Sequence, residues 1–439
     1  MKEVLKLLRY NTGTDKASFL KFNKSFDGVI FNASILAHNV SAITDLIAVY
    51  EDRYIVDPQT YIFQIKKEKI SKRGKIKESI NKYLDNLPQK MVSKYRKEGE
   101  LKISYIISNI KELVDHNYNF QVNFVNNKMK EKDYAKYLDY VGIIIKPKMI
   151  IAPYLMINSE YEDKIIDDVL DFNIKSIELT EKKANNNVKI ACQLVINKKA
   201  LSKLNIEKIK NKYKDLNIDY IFVWISDFNM FTATKKENEK YKELILVLNN
   251  NGLKPIMSYG GYDSIILCNK DSKIRLYGVA NSIGYGEKRE IVPVGGGIPV
   301  IKYYFYPIHQ RLNMEDALLI LKKSGFSDSE TKMMISAEKY YKEICDCNQC
   351  KKIIKNDFSN FKIYRESTSF STKDGIAKER PTYNTTVILN THFMYCKIKE
   401  WKNVNEKTFT ELKRELINNH KKYNTDSYSS VMAWAEMYE

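Results

Sequence analysis

The sequence predicts an α/β fold: a closed (β/α)8 barrel of parallel strands, followed by a smaller cysteine-bearing subdomain. Three observations predict it. Short apolar, β-branched runs alternate with Lys-rich stretches of helical character, a pattern that implies crossover connections and a parallel sheet. The runs are apolar almost throughout, so both faces of each strand are expected to be buried. About seven or eight such units precede residue 310, which suits a closed barrel better than an open sheet.

The elements follow in order. Residues 26–36 (FDGVIFNASIL) read as a buried strand, and 54–64 (YIVDPQTYIFQ) as a strand that turns at Asp57-Pro58. A basic run, 66–77, leads to helices expected over 78–97, 101–116 and 130–138. Residues 140–151 are apolar and β-branched, and 161–172 are amphipathic. Strands over 188–196 and 219–228 are each followed by a helix, 200–216 and 239–249. A short strand at 253–259 precedes Gly260-Gly261, and 275–283 is the last of the series. After Pro307 the pattern changes. Helices are expected at 314–323, 328–344 and 407–422, irregular chain at 351–385 and a strand at 386–394. This places the barrel in residues 1–312 and the subdomain in 313–439.

The chain has 439 residues, 44% hydrophobic and 12% aromatic, so a large core is available and wholesale disorder is excluded. Its 72 basic side chains against 54 acidic give a net charge of +18, the footprint of a protein that meets a polyanion, nucleic acid foremost. A richness in Lys, Asn and Ile offers a purely compositional explanation of the same number. No run reaches the ~18–20 apolar residues that span a bilayer, because the best, 140–157, is broken by Lys146 and Lys148. The N-terminus lacks a signal-peptide pattern. A cytoplasmic protein with no membrane partner and reduced thiols is therefore expected, in which clustered cysteines point to metal.

Cys345, Cys347 and Cys350 fall within six residues, half of all the cysteines in the chain. Such spacing can converge three thiolates on one tetrahedral Zn²⁺, with His392 or Cys396 as the fourth ligand, and a closed four-ligand site is structural. Carboxylates at strand ends form a second signal, since the C-terminal face of a barrel carries its active site. Asp57 and Asp227 each end a strand and could divide nucleophile and acid–base roles, although Asp at such a place also caps helices. A third signal is Gly284, Gly286, Lys288 and Arg289 after the last strand, a loop able to bind phosphate or to serve simply as a long turn. The run Tyr303-Tyr304-Phe305-Tyr306 with His309 and Arg311 reads as core.

Taken together, these residues resemble the tRNA-guanine transglycosylases and their DNA-modifying relatives. The C-x-C-x-x-C…H pattern at Cys345, Cys347, Cys350 and His392 matches the zinc motif of that family. YIVDPQTYIFQ is similar to its D-S-G-G-F-Q strand, which would make Asp57 the general acid/base and Gln64 a substrate contact. PKMIIAPYLMI occupies the strand of the base-recognising aspartate, with Tyr154 where that acid would stand. The P-T-R turn after the family's nucleophile is missing, and Asp227 is the substitute. The resemblance implies exchange of guanine for a 7-deazaguanine base in tRNA or DNA through an Asp nucleophile, with the target base leaving its stack. It also leaves a second expectation, a barrel that binds nucleic acid without catalysis, as a homodimer or as a subunit of a modification or defence complex.

Overall fold

The computed structural model describes residues 4–11, 13–142, 145–185, 188–283, 289–292, 300–326, 337–371 and 377–438. Eight parallel strands form a nearly closed barrel: β1 (Leu5–Tyr10), β2 (Gly28–Asn32), β3 (Tyr54–Asp57), β4 (Met149–Ile151, resumed at Met156–Ile157), β5 (Lys189–Asn197), β6 (Tyr220–Ser226), β7 (Lys254–Met257) and β8 (Gly278–Ser282). Strands adjacent in sequence are adjacent in space, and β8 pairs with β1 with Leu5 opposite Gly278. A Cβ on Gly278 would lie 2.7 Å from Leu5 O, so glycine is what lets these two backbones meet. The seam between β3 and β4 is closed by one parallel bridge, Tyr54 to Pro147, beside a 2.7 Å hydrogen bond from Lys148 N–H to Tyr54 O.

Two strand boundaries bear on function. Ile151 faces Ala191 and Met156 faces Val195, so β4 takes five steps where β5 takes four. The extra residue makes a bulge, a device that re-aims a side chain, and Tyr154 lies within it. The strand expected at 26–36 stops at Asn32, where the helix Ala33–His38 begins, so His38 ends a helix rather than a strand. In the apolar, β-branched stretch 140–151 a strand is found at Met149–Ile151, after a helix Ala135–Tyr140.

Beyond the barrel come an antiparallel hairpin, Lys302–Phe305 with Gln310–Asn313, and helices Met314–Lys323, Ala337–Glu343 and Asn348–Ile354. The strand expected at 386–394 is instead part of a helix of 24 residues, Tyr383–Glu406. Thr386-Val387-Ile388 has strand-like composition, but the buried Thr385, Ile388, Leu389, His392 and Cys396 recur at three- and four-residue steps, the helical period. Thr382 caps the helix by accepting from Thr385 N–H. This helix lies against the barrel: the Phe22 and Tyr395 rings meet edge-on at 4.8 Å, and Asn269 Nδ2 donates to Val404 O at 2.7 Å and Lys407 O at 2.8 Å.

The Tyr303–Phe305 run is core, as its sequence suggests. Around it sits a buried ionic cluster. Lys397 Nζ donates to Glu400 Oε2 and to Tyr304 Oη, each at 2.9 Å, and His309 Nδ1 lies 2.8 Å from Glu400 Oε1. The His309 ring stacks on Tyr262 at 3.5 Å, which ties the hairpin turn to the residues following β7.

One more buried histidine, His420 on the helix Phe409–Lys422, predicts a pH dependence. Its Nε2 lies 3.2 Å from Ile308 O and its Nδ1 2.7 Å from Thr425 Oγ1. Burial, with His309 adding repulsion, lowers its pKa from 6.5 to about 4 despite the Ile308 contact. Between those values the unfolded chain takes up a proton that the native one refuses. Stability should therefore fall as pH drops from 6.5 towards 4, by up to about 3 kcal/mol from this group at ~1.4 kcal/mol per unit. Urea melts across that window should show the loss, and His420→Gln should flatten it; an unchanged slope in the variant would refute the assignment.

Candidate functional site

The C-terminal end of the barrel is lined by a charged and aromatic layer. Inward-facing layers of such barrels are usually filled by branched apolar side chains contributed by alternate strands. Here the odd strands place Arg9 (β1), Asp57 (β3) and Gln193 (β5), all fully buried, with Tyr259 just beyond β7. Arg9 Nη2 donates to Asp57 Oδ2 at 2.9 Å, while its Nη1 donates to Asn32 Oδ1 at 2.7 Å and Tyr259 Oη at 3.0 Å. Gln193 Nε2 reaches Asp57 Oδ2 at 3.3 Å and Tyr154 Oη at 3.1 Å. The other carboxylate oxygen, Oδ1, accepts from Tyr154 Oη at 2.6 Å and from Gln59 N–H at 3.2 Å.

The bulge in β4 is what brings Tyr154 onto Asp57. Thr60 locks it there, its Oγ1 donating to Tyr154 O at 2.7 Å and accepting from Tyr154 N–H at 2.8 Å. Burial disfavours the Arg9 cation, but Tyr259 and Asp57 more than restore it, and its pKa rises above the ordinary value. Burial first, then Asp57, pushes the Tyr154 phenol well up, so it stays a donor. Tyr61 stands over Tyr154 at 5.8 Å and edge-on to Trp224 at 5.9 Å, and Trp224 lies 4.9 Å from Tyr259. Gln193 Oε1 and Asn281 Oδ1 are buried without a hydrogen-bond partner among the described residues.

Gln64 is buried two turns of chain beyond Asp57, and both ends of its amide are used by Met156: Nε2 donates to Met156 O at 3.0 Å and Oε1 accepts from Met156 N–H at 2.8 Å. Asp227 follows β6 directly with φ +56° and is half-buried. Its N–H donates to Arg289 O at 2.9 Å, and Trp224 Nε1 donates to the same carbonyl at 3.3 Å. Ser226 Oγ donates to Glu290 Oε2 at 3.2 Å and accepts from Ile291 N–H at 3.3 Å, while Tyr61 Oη donates to Ile291 O at 3.4 Å. Residues 289–291 thus strap the ends of β6 and of the β3 loop together above the aromatic layer. Gly284, Gly286 and Lys288 lie outside the described residues. Asp57's partners are Arg9, Tyr154, Gln193 and Gln59; Asp227 is not among them.

The second site is a thiol–imidazole cluster. Ligand atoms of Cys345, Cys347, Cys350 and His392 all lie within 4.8 Å of one another. His392 Nδ1 is 3.3 Å from Cys350 Sγ, 3.4 Å from Cys347 Sγ and 3.9 Å from Cys345 Sγ. Metal–sulfur bonds of about 2.3 Å and metal–nitrogen bonds of about 2.0–2.1 Å require tetrahedral sulfur–nitrogen edges near ~3.6 Å. The residues therefore fit a metal ion, which these four could hold. His392 Nε2 is engaged at 2.8 Å by Tyr304 O, which leaves Nδ1 as the ligand atom. Tyr303 stacks on the imidazole at 4.7 Å, and the hydroxyls of Tyr340 and Tyr364 each lie 3.3 Å from Cys350 Sγ. Cys396, one helical turn past His392, approaches Cys345 Sγ at 3.8 Å. Its Sγ also lies 3.7 Å from His392 Nδ1, so it lines the cluster beside the four grouped residues.

Fold and clusters together define a (β/α)8 barrel with a buried Cys3His cluster able to hold a metal ion. No protein-family model and no curated protein matches the chain. Among solved structures, xylanase B from Clostridium stercorarium F9 is similar at 12% identity over 59% of this chain and 73% of that one, with a TM-score of 0.30. Among the described residues no helix is long and apolar enough to cross a membrane.

Sequence reasoning missed Arg9, Gln193, Trp224 and Tyr259. The available signal was polarity in the wrong place: an Arg in LKLLRY and a Gln in VKIACQLVI, each inside an otherwise apolar run.

Proposed function

We propose that the protein is a transglycosylase-like enzyme that reads a guanine-type base of tRNA or DNA at the barrel mouth and exchanges it for a 7-deazaguanine base, with zinc held structurally by Cys345, Cys347, Cys350 and His392. The observation that carries this reading is the layer around Asp57, where aromatic rings and hydrogen-bonding groups replace the apolar filling of an ordinary barrel. The acceptors Gln193 Oε1 and Asn281 Oδ1, without a hydrogen-bond partner among the described residues, suit the N–H edge of a guanine. In the exchange, a carboxylate oxygen of Asp227 bonds to C1′ as the C1′–N9 bond breaks and its electron pair leaves with guanine. The incoming base reverses the step, with Asp57 serving the proton transfers.

One observation favours a second reading. Both oxygens of Asp57 are occupied by four donors, which suits a carboxylate that holds an architecture. The barrel would then bind polynucleotide as a homodimer or as a subunit of a larger complex, without chemistry.

Labelled 7-deazaguanine base, incubated with tRNA or duplex DNA, tests the two. Incorporation is expected with the native protein and should drop at least ~100-fold in Asp57→Asn and in Asp227→Asn, the scale of losing general acid–base or nucleophilic assistance, while polynucleotide affinity changes little. The variants are assayed at a temperature where circular dichroism shows them folded. Binding without incorporation in the native protein would select the second reading; neither binding nor incorporation would end both.

A further inference from the structure

We propose that the β-hairpin following β3, Ser71–Lys72 paired with Lys75–Ile76, is a phosphate-gripping finger that holds the sugar–phosphate backbone next to the base presented at the barrel mouth. The inference rests on the polynucleotide reading above and adds the element that engages the chain. Its occupant is a phosphodiester polyanion.

Several independent features single the hairpin out. Residues 66–77 carry seven basic side chains against one acidic, Glu68. Lys66, Lys69, Lys72, Arg73 and Lys75 are exposed and make no ion pair with any described residue. On the helices that follow, Lys82 pairs with Glu78, Lys94 with Glu98 and Arg96 with Asp85, so the five hairpin cations stand as a group without such partners.

The turn is built for projection. Arg73 and Gly74 have φ of +54° and +76°, the left-handed pair of a tight two-residue hairpin, and a Cβ on Gly74 would touch nothing. Four consecutive residues from Lys72 to Lys75 therefore stand in solvent on a short, stiff support. The base of the finger is anchored by Lys77 N–H to Ile70 O at 3.0 Å, with Ile70 fully buried.

Its position is the third argument. The hairpin leaves from the C-terminal end of β3, the end that carries Asp57. At its base, Lys77 feels both Lys72 and Arg289, and burial together with those like charges lowers its pKa. Arg289 belongs to the strap whose carbonyl is held by Trp224 and Asp227. Like charges gathered from separate segments at one rim create a local positive field that an anion would relieve. Backbone contacts of this kind give affinity without sequence information, which leaves base reading to the pocket below.

The test is a charge-reversal triple, Lys72→Glu, Arg73→Glu and Lys75→Glu, in the full-length protein. All three residues are exposed and support no packing. The control reverses Lys182, Lys210 and Lys214, exposed at the opposite end of the barrel, so that net charge changes equally. Binding of fluorescein-labelled tRNA and of a labelled DNA duplex is titrated from 50 to 300 mM salt. The hairpin variant should lose at least about tenfold in affinity at 100 mM salt, and its salt slope should become shallower by about 3, at ~0.9 per phosphate contact; the control should stay within about threefold.

Equal loss in both variants would make the effect one of net charge and overturn the finger. Unchanged binding in the hairpin variant, with base exchange intact, would overturn the finger and leave the proposed function standing. Native protein that binds neither polynucleotide, yet binds phosphatidylserine vesicles through the hairpin, would overturn the partner class and the proposed function with it.

Discussion

Cys350→Ser is expected to leave the purified protein without its metal ion and to loosen everything packed around the cluster. Cys350 is fully buried, 3.3 Å from His392 Nδ1, and receives the hydroxyls of Tyr340 and Tyr364. Closed sites of this type contribute about 10–16 kcal/mol of apparent binding free energy in small zinc modules, and binding energy there is folding energy. Removal of one ligand should therefore lower metal content from about one equivalent to near zero and depress the melting temperature by more than ~10 °C. The helix Tyr383–Glu406 carries His392 and also packs on the barrel through Tyr395, so the loss should spread beyond the cluster. Elemental analysis and calorimetry read both effects. Native protein free of stoichiometric metal, or a variant that melts like the native one, would refute the assignment.

Arg9→Met should be the most damaging single change inside the barrel. It leaves Asp57 fully buried and stripped of its charge partner, and breaking a buried pair on one side costs about 3–5 kcal/mol. Removing both charges, in Arg9→Met with Asp57→Leu, should recover much of that loss, because a well-packed apolar pair replaces an ion pair whose desolvation was expensive. Urea midpoints for the two singles and the double complete the cycle. A double variant that loses as much as the sum of the singles would show that the pair is not coupled.

Several features were legible in the chain because they are local. Period-two and period-3.6 patterns, turn residues and short cysteine spacing are carried by neighbouring residues, so β2, β3, β6, β7 and β8 fall within the runs read as strands, and β5 overruns its run by one residue. Where a local pattern conflicts with its surroundings, the reading fails. Thr386-Val387-Ile388 prefers a strand, yet it lies in the first turns of a 24-residue helix whose buried side takes Ile388 alone of the three. LKLLRY escaped notice because Arg9 and Lys6 make it look like surface, although Arg9 is fully buried against an acid from two strands away.

The sequence by itself determined the alternation that makes a parallel barrel, the convergence of Cys345, Cys347 and Cys350, and the basic surplus at 66–77, since each is written in adjacent residues. Only the tertiary structure decided that His392 completes the cluster, that Asp57 is matched with Arg9, Tyr154 and Gln193, and that residues 289–291 strap the mouth. These partners lie between 42 and 230 residues apart in the chain. No local propensity couples such distant positions. They meet because closing eight strands fixes which side chains share an end of the barrel, and because one extra residue in β4 turns Tyr154 towards them.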